Sequence, residues 1–274
     1  MDRFFSDRTT DEVLINSTRS VVVYTAGKRK VLPSIFANEQ EMVHWLQDFS
    51  FSQGVRLDPL KPYSGGYLHE HNVRWHCLIP PVAIDGAVVS LRRHEFTALT
   101  LADFNDPHNL CDDCLTHVRG YKPLLVCGST SSGKTTFLAS LLRAVCQQER
   151  LAILESIVEL PLMSSLWMRC QTQGDTSMEV LIEEILRLRP DRFVIGEIRG
   201  QEIIAFVKAM TIGHLGLLTT LHAESSRQVQ ARIRFLLSLY TSSFQPEMLG
   251  DSVHALILQR GDPPQICDLA EINI

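Results

Sequence analysis

The chain has no apolar run approaching the roughly 18 residues that span a bilayer. Its opening stretch, Met1-Asp2-Arg3-Phe4-Phe5-Ser6-Asp7, has no apolar core of signal-peptide length. We therefore expect a cytoplasmic protein whose membrane association, if any, comes through partners. Positive charge is in short supply too: 26 Lys and Arg against 31 Asp and Glu leave a formal charge of −5. That balance gives no general attraction to nucleic acid, although a local basic patch would not need one. There is no internal repeat and no low-complexity tract. Seven cysteines, an odd number in a chain without an export signal, imply reduced thiols. Cys111-Asp112-Asp113-Cys114 has no second CxxC or paired His after it, so an exposed linker turn is the better reading than zinc. His69 and His71 would share one strand face with His76 on the other, which fits ordinary sheet histidines better than a metal site.

What is present is enough for a sizeable core: 274 residues, 45% hydrophobic and 21% charged, suggest two domains or one large one. Up to about residue 95 the pattern is α+β. Val13-Leu14-Ile15 and Val21-Val22-Val23-Tyr24 are strand-like, and Met42, Val43, Leu46 and Phe49 mark one side of a helix over 39–49. Strands are predicted from Tyr67 to Ile79 and from Ala87 to Leu91, joined through Pro80-Pro81 and Asp85-Gly86. The polar stretch 103–109 reads as the interdomain connection. From about residue 112, short apolar strands (151–154, 193–195, 217–221) alternate with helical periods (178–188, 201–210, 225–240). Continuous apolar strands between helices indicate a mainly parallel sheet covered on both faces.

The most informative stretch is Gly128-Ser129-Thr130-Ser131-Ser132-Gly133-Lys134-Thr135-Thr136, which satisfies the phosphate-binding loop pattern. The run Leu124-Leu125-Val126-Cys127 before it reads as a buried strand. After it, Phe137, Leu138, Leu141, Leu142 and Val145 fall on one helical face. In that context backbone N–H groups and the positive helix end converge on a polyphosphate. Lys134 would neutralise the β/γ phosphates, and Thr135 would offer its hydroxyl to Mg²⁺. Hydrolysis needs in addition a carboxylate to hold Mg²⁺ through water or to orient the attacking water. Arg192-Phe193-Val194-Ile195-Gly196-Glu197 places one at the end of a buried strand, where ligands of α/β sheets collect.

Here a resemblance becomes specific. Leu188-Arg189-Pro190-Asp191-Arg192-Phe193-Val194-Ile195-Gly196-Glu197-Ile198-Arg199-Gly200 closely resembles the Walker B segment of the type II/type IV secretion ATPases, most of all the VirB11 and CpaF/TadA branches. Glu155-Ser156-Ile157-Val158-Glu159 is similar to the family's Asp box, with Ser156 where an Asp is usual and Ile157 where a Pro is usual. Gly213-His214-Leu215-Gly216 and Thr219-Thr220-Leu221-His222-Ala223 are similar to its His box. In the first part of the chain Asn72-Val73-Arg74-Trp75, Ile79 to Gly86 and Ser90-Leu91-Arg92-Arg93 look like its nucleotide-facing strands. The resemblance covers roughly 11–272 and lacks only the long N-terminal extension that many CpaF relatives carry.

The resemblance implies an α/β fold: a RecA-like P-loop ATPase domain over 113–274, a smaller N-terminal α+β (PAS-like) domain over 1–100, and a hinge over 101–112. It implies ATP and Mg²⁺ as cofactors and a homohexamer working with inner-membrane platform or secretion-channel proteins, peripherally at the inner face of the bacterial inner membrane, without direct nucleic-acid binding. Glu197 and Glu159 would share water orientation and metal work, and Glu155 would matter less. His222 would sense the γ-phosphate, and Arg74 and Arg92 (or the adjacent Arg93) would reach the phosphates, from the same or a neighbouring subunit. Alternatives are a nucleotide-binding scaffold with little turnover, favoured only by Ser156 and Ile157, and a small-molecule kinase, which would not need the His-box segments. A GTPase is less compatible because no Asn-Lys-x-Asp motif occurs.

Overall fold

Residues that alternate in polarity build the first of two compact units, Met1–Glu95 and Phe96–Ile274. The computed structural model describes residue 5 and residues 9–68, 70–93, 99–172, 176–211, 216–240 and 253–272. In the first unit, strands β1 (Thr10–Asn16), β2 (Ser20–Thr25) and β3 (Lys28–Leu32) are followed by helix α1 (Glu39–Ser52). Strands β4 (Tyr63–Leu68), β5 (Val73–Leu78) and β6 (Val88–Arg93) complete an antiparallel sheet of order β3-β2-β1-β6-β5-β4. Asn38 caps α1, its side chain accepting the Glu41 N–H at 2.9 Å. The helix buries Met42 and Leu46 in a core with Val13, Ile15, Trp75 and Leu91. Phe49 meets Trp75 edge-on at 4.8 Å and stacks on Trp45 at 5.7 Å.

Two sequence expectations change here. The single strand over Tyr67–Ile79 is a hairpin, with β4 and β5 paired Tyr67 to Arg74 and the chain reversing at Asn72, φ 53°. Asn tolerates that left-handed conformation better than most residues. His71 lies in this turn and His76 on β5, so they share no strand, while His69 falls outside the described residues. Strand β3 had no apolar signature because Lys28, Arg29 and Lys30 sit exposed on the sheet edge, where charge discourages further pairing.

The second unit is built around continuous apolar strands. In chain order it comprises α2 (Leu110–Arg119), β7 (Leu124–Gly128), α3 (Lys134–Val145), β8 (Leu151–Glu155), β9 (Met168–Gln171), α4 (Met178–Leu186) and β10 (Arg192–Ile198). It continues with α5 (Glu202–Thr211), β11 (Leu218–His222), α6 (Ser226–Tyr240), β12 (Val253–Gln259) and β13 (Gln265–Ile272). The sheet order is β13-β12-β7-β11-β10-β8-β9, parallel throughout except for β12–β13. Successive residues of β7 face opposite cores: Leu125 and Cys127 pack with Ile182, Phe206 and Ile233 of α4, α5 and α6, whereas Leu124 and Val126 pack with Cys114, Phe137 and Leu141 of α2 and α3.

The segment 101–112, read from sequence as a hinge, belongs to this unit. Phe104 is buried edge-on against Phe137 at 5.0 Å. Asn105 donates to the Pro264 carbonyl at 2.9 Å and accepts from Ile266 N–H at 2.8 Å. Asp106 accepts the Leu110 and Cys111 N–H groups at 2.9 and 2.8 Å, opening α2. Cys111 and Cys114 are thus one helical turn apart with Cys114 fully buried, not in an exposed turn. No group of three His, Cys, Asp or Glu side chains that could hold a metal ion occurs among the described residues.

Two buried charges organise the sheet ends. Arg192, 1% exposed, donates to Glu149 from Nε at 2.7 Å and from a terminal nitrogen at 3.1 Å. It also donates to the Gly216 and Val118 carbonyls at 3.2 and 3.1 Å and lies over the Tyr121 ring at 4.5 Å. Glu155, also 1% exposed, accepts the Glu159 and Leu160 N–H groups, both at 2.9 Å, so that it shapes the loop leaving β8. Arg169 Nε lies 3.2 Å from the other carboxylate oxygen, out of line for a hydrogen bond. The side chain passes over Gly196, where a Cβ would come within 2.9 Å of Glu155 Cγ.

Removing one partner of a buried pair strands the other, so Arg192→Ala should destabilise the second unit by about 3–5 kcal/mol, measured by denaturant unfolding. Burial pushes the Glu155 carboxyl up to about 7 from 4.5, against the pull of its two N–H donors and Arg169. The native state then holds a proton that the unfolded chain releases. Its stabilising share is complete below pH 4.5, declines as pH rises from 4.5 to about 7, and stays level above. Compared with Glu155→Gln, wild-type unfolding free energy should lose ground across that window, and parallel pH profiles would contradict this.

Candidate functional site

The site forms where β7, β8, β10 and β11 end on the same side of the sheet. β7 is buried over its whole length and delivers the chain into the loop 128–133. Gly128 adopts φ 156°, and a Cβ there would strike Ser132 Oγ and approach the Leu258 carbonyl to 2.5 Å. Ser131 (φ 61°) and Gly133 (φ 87°) turn the backbone, and α3 starts at Lys134 directly behind. Ser132 is buried beneath the loop while Thr130 and Ser131 are exposed, Ser129 is half-buried, and Thr135 and Thr136 occupy the first helical turn. A glycine-bounded loop feeding a helix N-terminus is a built anion site.

Lys134 is 7% exposed, its ammonium donating to the Gly128 and Ser129 carbonyls at 3.1 and 2.7 Å. Desolvation lowers its pKa, partly opposed by Glu197. His222, the last residue of β11, places Nδ1 3.5 Å from Lys134 Nζ and Nε2 2.9 Å from Glu197 Oε1. Burial, then Lys134, lowers the pKa of this imidazole. Neutral at pH 7, it turns the Nδ1 lone pair towards the ammonium and carries its proton on Nε2, which is near Glu197 Oε1 but out of line for a hydrogen bond.

Glu197 lies near the end of β10. Its Oε1 is buried without an aligned hydrogen-bond donor, and its Oε2 accepts from Arg199 Nε at 2.6 Å. Glu159, carried on the loop that Glu155 shapes, has Oε2 3.5 Å from Thr135 Oγ1 and Oε1 3.4 Å from Arg199. One hydroxyl and two carboxylates, all hard oxygen donors, converge, which is the donor set that Mg²⁺ prefers. The orphaned Oε1 of Glu197 suits a metal-bound water as donor.

The second unit therefore brings together Lys134, Thr135, Glu159, Glu197 and His222. His214 falls outside the described residues. Arg74 and Arg92 are direct cross-strand partners on β5 and β6, so they share one face of the first unit's sheet. Arg93 is engaged within that unit, donating to the Thr10 and Phe5 carbonyls, both at 3.0 Å. Arg92 is thus the arginine of this pair whose guanidinium is not tied to the backbone of residues 5 and 10. Sequence reasoning missed Arg199 as part of the site. Its position two residues after Glu197, at the end of the same strand, was the available signal. It also missed how Ser156 is used: its hydroxyl donates to Glu202 at 3.0 Å, tying the β8 loop to α5.

Comparison with known proteins agrees with this geometry. The sequence profile of the type II/IV secretion system protein family matches residues 68–267. A Mycobacterium tuberculosis protein named for conjugal transfer is 34% identical over 250 residues, covering 84% of this chain and 70% of that one. VirB11 of Agrobacterium fabrum is 35% identical over 140 residues, 49% of this chain and 40% of its own. Among solved structures, the pilus retraction motor PilT with bound ADP superposes with TM-score 0.66 at 18% identity, covering 97% of this chain and 80% of that one. The ATPase DotB of Legionella pneumophila gives 0.64 at 18%, covering 91% and 72%. At such identities these two structures speak for the fold alone. The profile match, spanning well over half the sequence and containing every residue gathered at the sheet ends, shows that the chain belongs to the type II/IV secretion system protein family.

Proposed function

We propose that this protein is an ATP-hydrolysing motor that powers a bacterial secretion, conjugation or pilus-assembly machine. The observation that carries the reading is the meeting of Lys134, Thr135, Glu159, Glu197 and His222 around one glycine-bounded loop. Backbone N–H groups of 128–133 and the Lys134 ammonium bind the triphosphate, and Lys134 moves from loop carbonyls to phosphate oxygens when nucleotide arrives. The Thr135 hydroxyl, with Glu197 and Glu159 in reach, would hold Mg²⁺, which would supply charge neutralisation to the phosphates. Glu197 and Glu159 orient the attacking water and accept its proton, and His222 couples Glu197 to Lys134, so that the carboxylate's position reports on what the ammonium holds.

The departing γ-phosphoryl spreads negative charge that Lys134 neutralises only in part. Arg74 and Arg92 of the first unit supply the remaining positive charge, from the same or a neighbouring subunit of a homohexamer. ATP then draws the two units together and hydrolysis releases them, a cycle suited to driving a membrane platform or channel from its cytoplasmic side. A regulatory scaffold without turnover would be favoured by loss of the acidic loop residues. Both acids are retained, and the atypical Ser156 is bonded to Glu202 instead.

Lys134→Ala should abolish ATP binding, and Glu197→Gln should bind ATP yet lower turnover by at least about a hundredfold, the scale of one lost stabilising group. Phosphate-release assays and labelled-nucleotide titration on the purified assembly test both, and normal turnover in either variant refutes the proposal. Arg74→Ala and Arg92→Ala should each cut kcat by roughly 10²–10³ with nucleotide affinity changed far less. Unaltered kcat in both variants would remove the first unit from the chemistry.

A further inference from the structure

The two carboxylates at the site do not stand alone. The Arg199 guanidinium lies between them, donating to Glu197 through Nε at 2.6 Å and again through a terminal nitrogen, which also reaches Glu159 at 3.4 Å. These are the same two carboxylates that, with Thr135, form the oxygen set suited to a divalent cation. A guanidinium and a metal ion cannot satisfy the same oxygens at once. Of the two cations already in the pocket, Lys134 is buried and held by two carbonyls, whereas the Arg199 side chain is 48% exposed. The arginine is the one that can leave into water at low cost.

Its backbone is fixed while its side chain is not. The Arg199 N–H donates to Glu202 Oε2 at 3.3 Å and the Gly200 N–H to the same oxygen at 2.8 Å. The Arg199 carbonyl accepts from Arg232 on α6 at 3.2 Å. The main chain is thus anchored to two helices, and only the side-chain torsions remain to move the guanidinium. Nearby charge keeps this arginine firmly cationic: the Glu197 hydrogen bond and Coulomb attraction from Glu197, Glu159 and Glu202 outweigh the opposing desolvation.

We propose that Arg199 is a positioning residue that acts as an exchangeable counter-cation: it holds Glu197 and Glu159 together and must swing away before a divalent cation can use them. This rests on the reading of the pocket as a nucleotide and metal site. Metal entry without nucleotide is disfavoured because the place is taken, and the arriving polyphosphate offers the guanidinium another anion. The site therefore loads metal and nucleotide together.

The experiment is Mn²⁺ titration of nucleotide-free protein, followed by electron paramagnetic resonance of the free ion, on wild type, Arg199→Gln and Arg199→Lys. Removal of the competing cation should tighten Mn²⁺ binding about tenfold, within the usual range of coupling between two ligands. Arg199→Lys, a point charge unable to span both carboxylates, should fall between. Mg²⁺ alone should raise the Tm of Arg199→Gln clearly more than that of wild type, since a ligand that binds the native state stabilises it. This readout also shows whether the variant is folded. Equal Mn²⁺ affinity and equal Mg²⁺ shifts in wild type and Arg199→Gln would overturn the proposal. Labelled ATP binding to wild type and Lys134→Ala, run in parallel, separates the two failures: unchanged ATP binding in Lys134→Ala would sink the pocket assignment instead.

Discussion

Two carboxylates crowded into one pocket need positive charge beside them, and much of the second unit is arranged around that requirement. Glu197 arrives on a central strand and Glu159 on a loop, so their separation is set by how the loop leaves β8. Like charges this close repel one another unless cations intervene. Lys134 and Arg199 fill that role from opposite origins, one at the start of a helix and the other at the end of a strand. His222 sits between Lys134 and Glu197 as a neutral spacer with one donor and one acceptor. The balance is local and depends on few atoms, so a bound nucleotide can reset all of it at once.

How far this was legible in the sequence follows from the range of the interactions. The phosphate loop was readable because loop, strand and helix are contiguous, and Gly128 and Gly133 are required by backbone angle alone. Glu197 was readable because it ends an apolar strand. The parallel sheet followed from uninterrupted apolar runs, whereas β9 (Met168–Gln171), β12 and β13 went unnoticed. β9 is a short edge strand, only partly buried, and β12 and β13 close the far side of the sheet. The segment 101–112 looked like a linker because it is polar. Its polar groups in fact satisfy backbone partners at Pro264, Ile266 and the start of α2, contacts separated by up to about 160 residues of sequence.

Glu155 and Ser156 show the same limit at the site itself. The sequence marked Glu155 as the weaker of two acids and Ser156 as a defect. In the fold Glu155 is a buried bracket whose two N–H bonds shape the loop that carries Glu159, and the small side of Gly196 makes room for it. Ser156 turns outward to Glu202, whose other oxygen receives Arg199 and Gly200. An aspartate at 156 would face that glutamate with like charge, so a hydroxyl is the compatible choice beside this α5. Such compensation is invisible until distant segments meet.

The strap that begins the second unit has a mechanical corollary. The Leu99 carbonyl accepts from Ser140 Oγ at 2.7 Å and from Arg143 at 3.4 Å, both on the helix that starts at Lys134. A few residues on, Asn105 is stitched to the C-terminal hairpin. Residues 99–105 are thus pinned both to the helix that starts at Lys134 and to the β12–β13 pair, so that within the second unit the helix cannot shift without carrying this strap along.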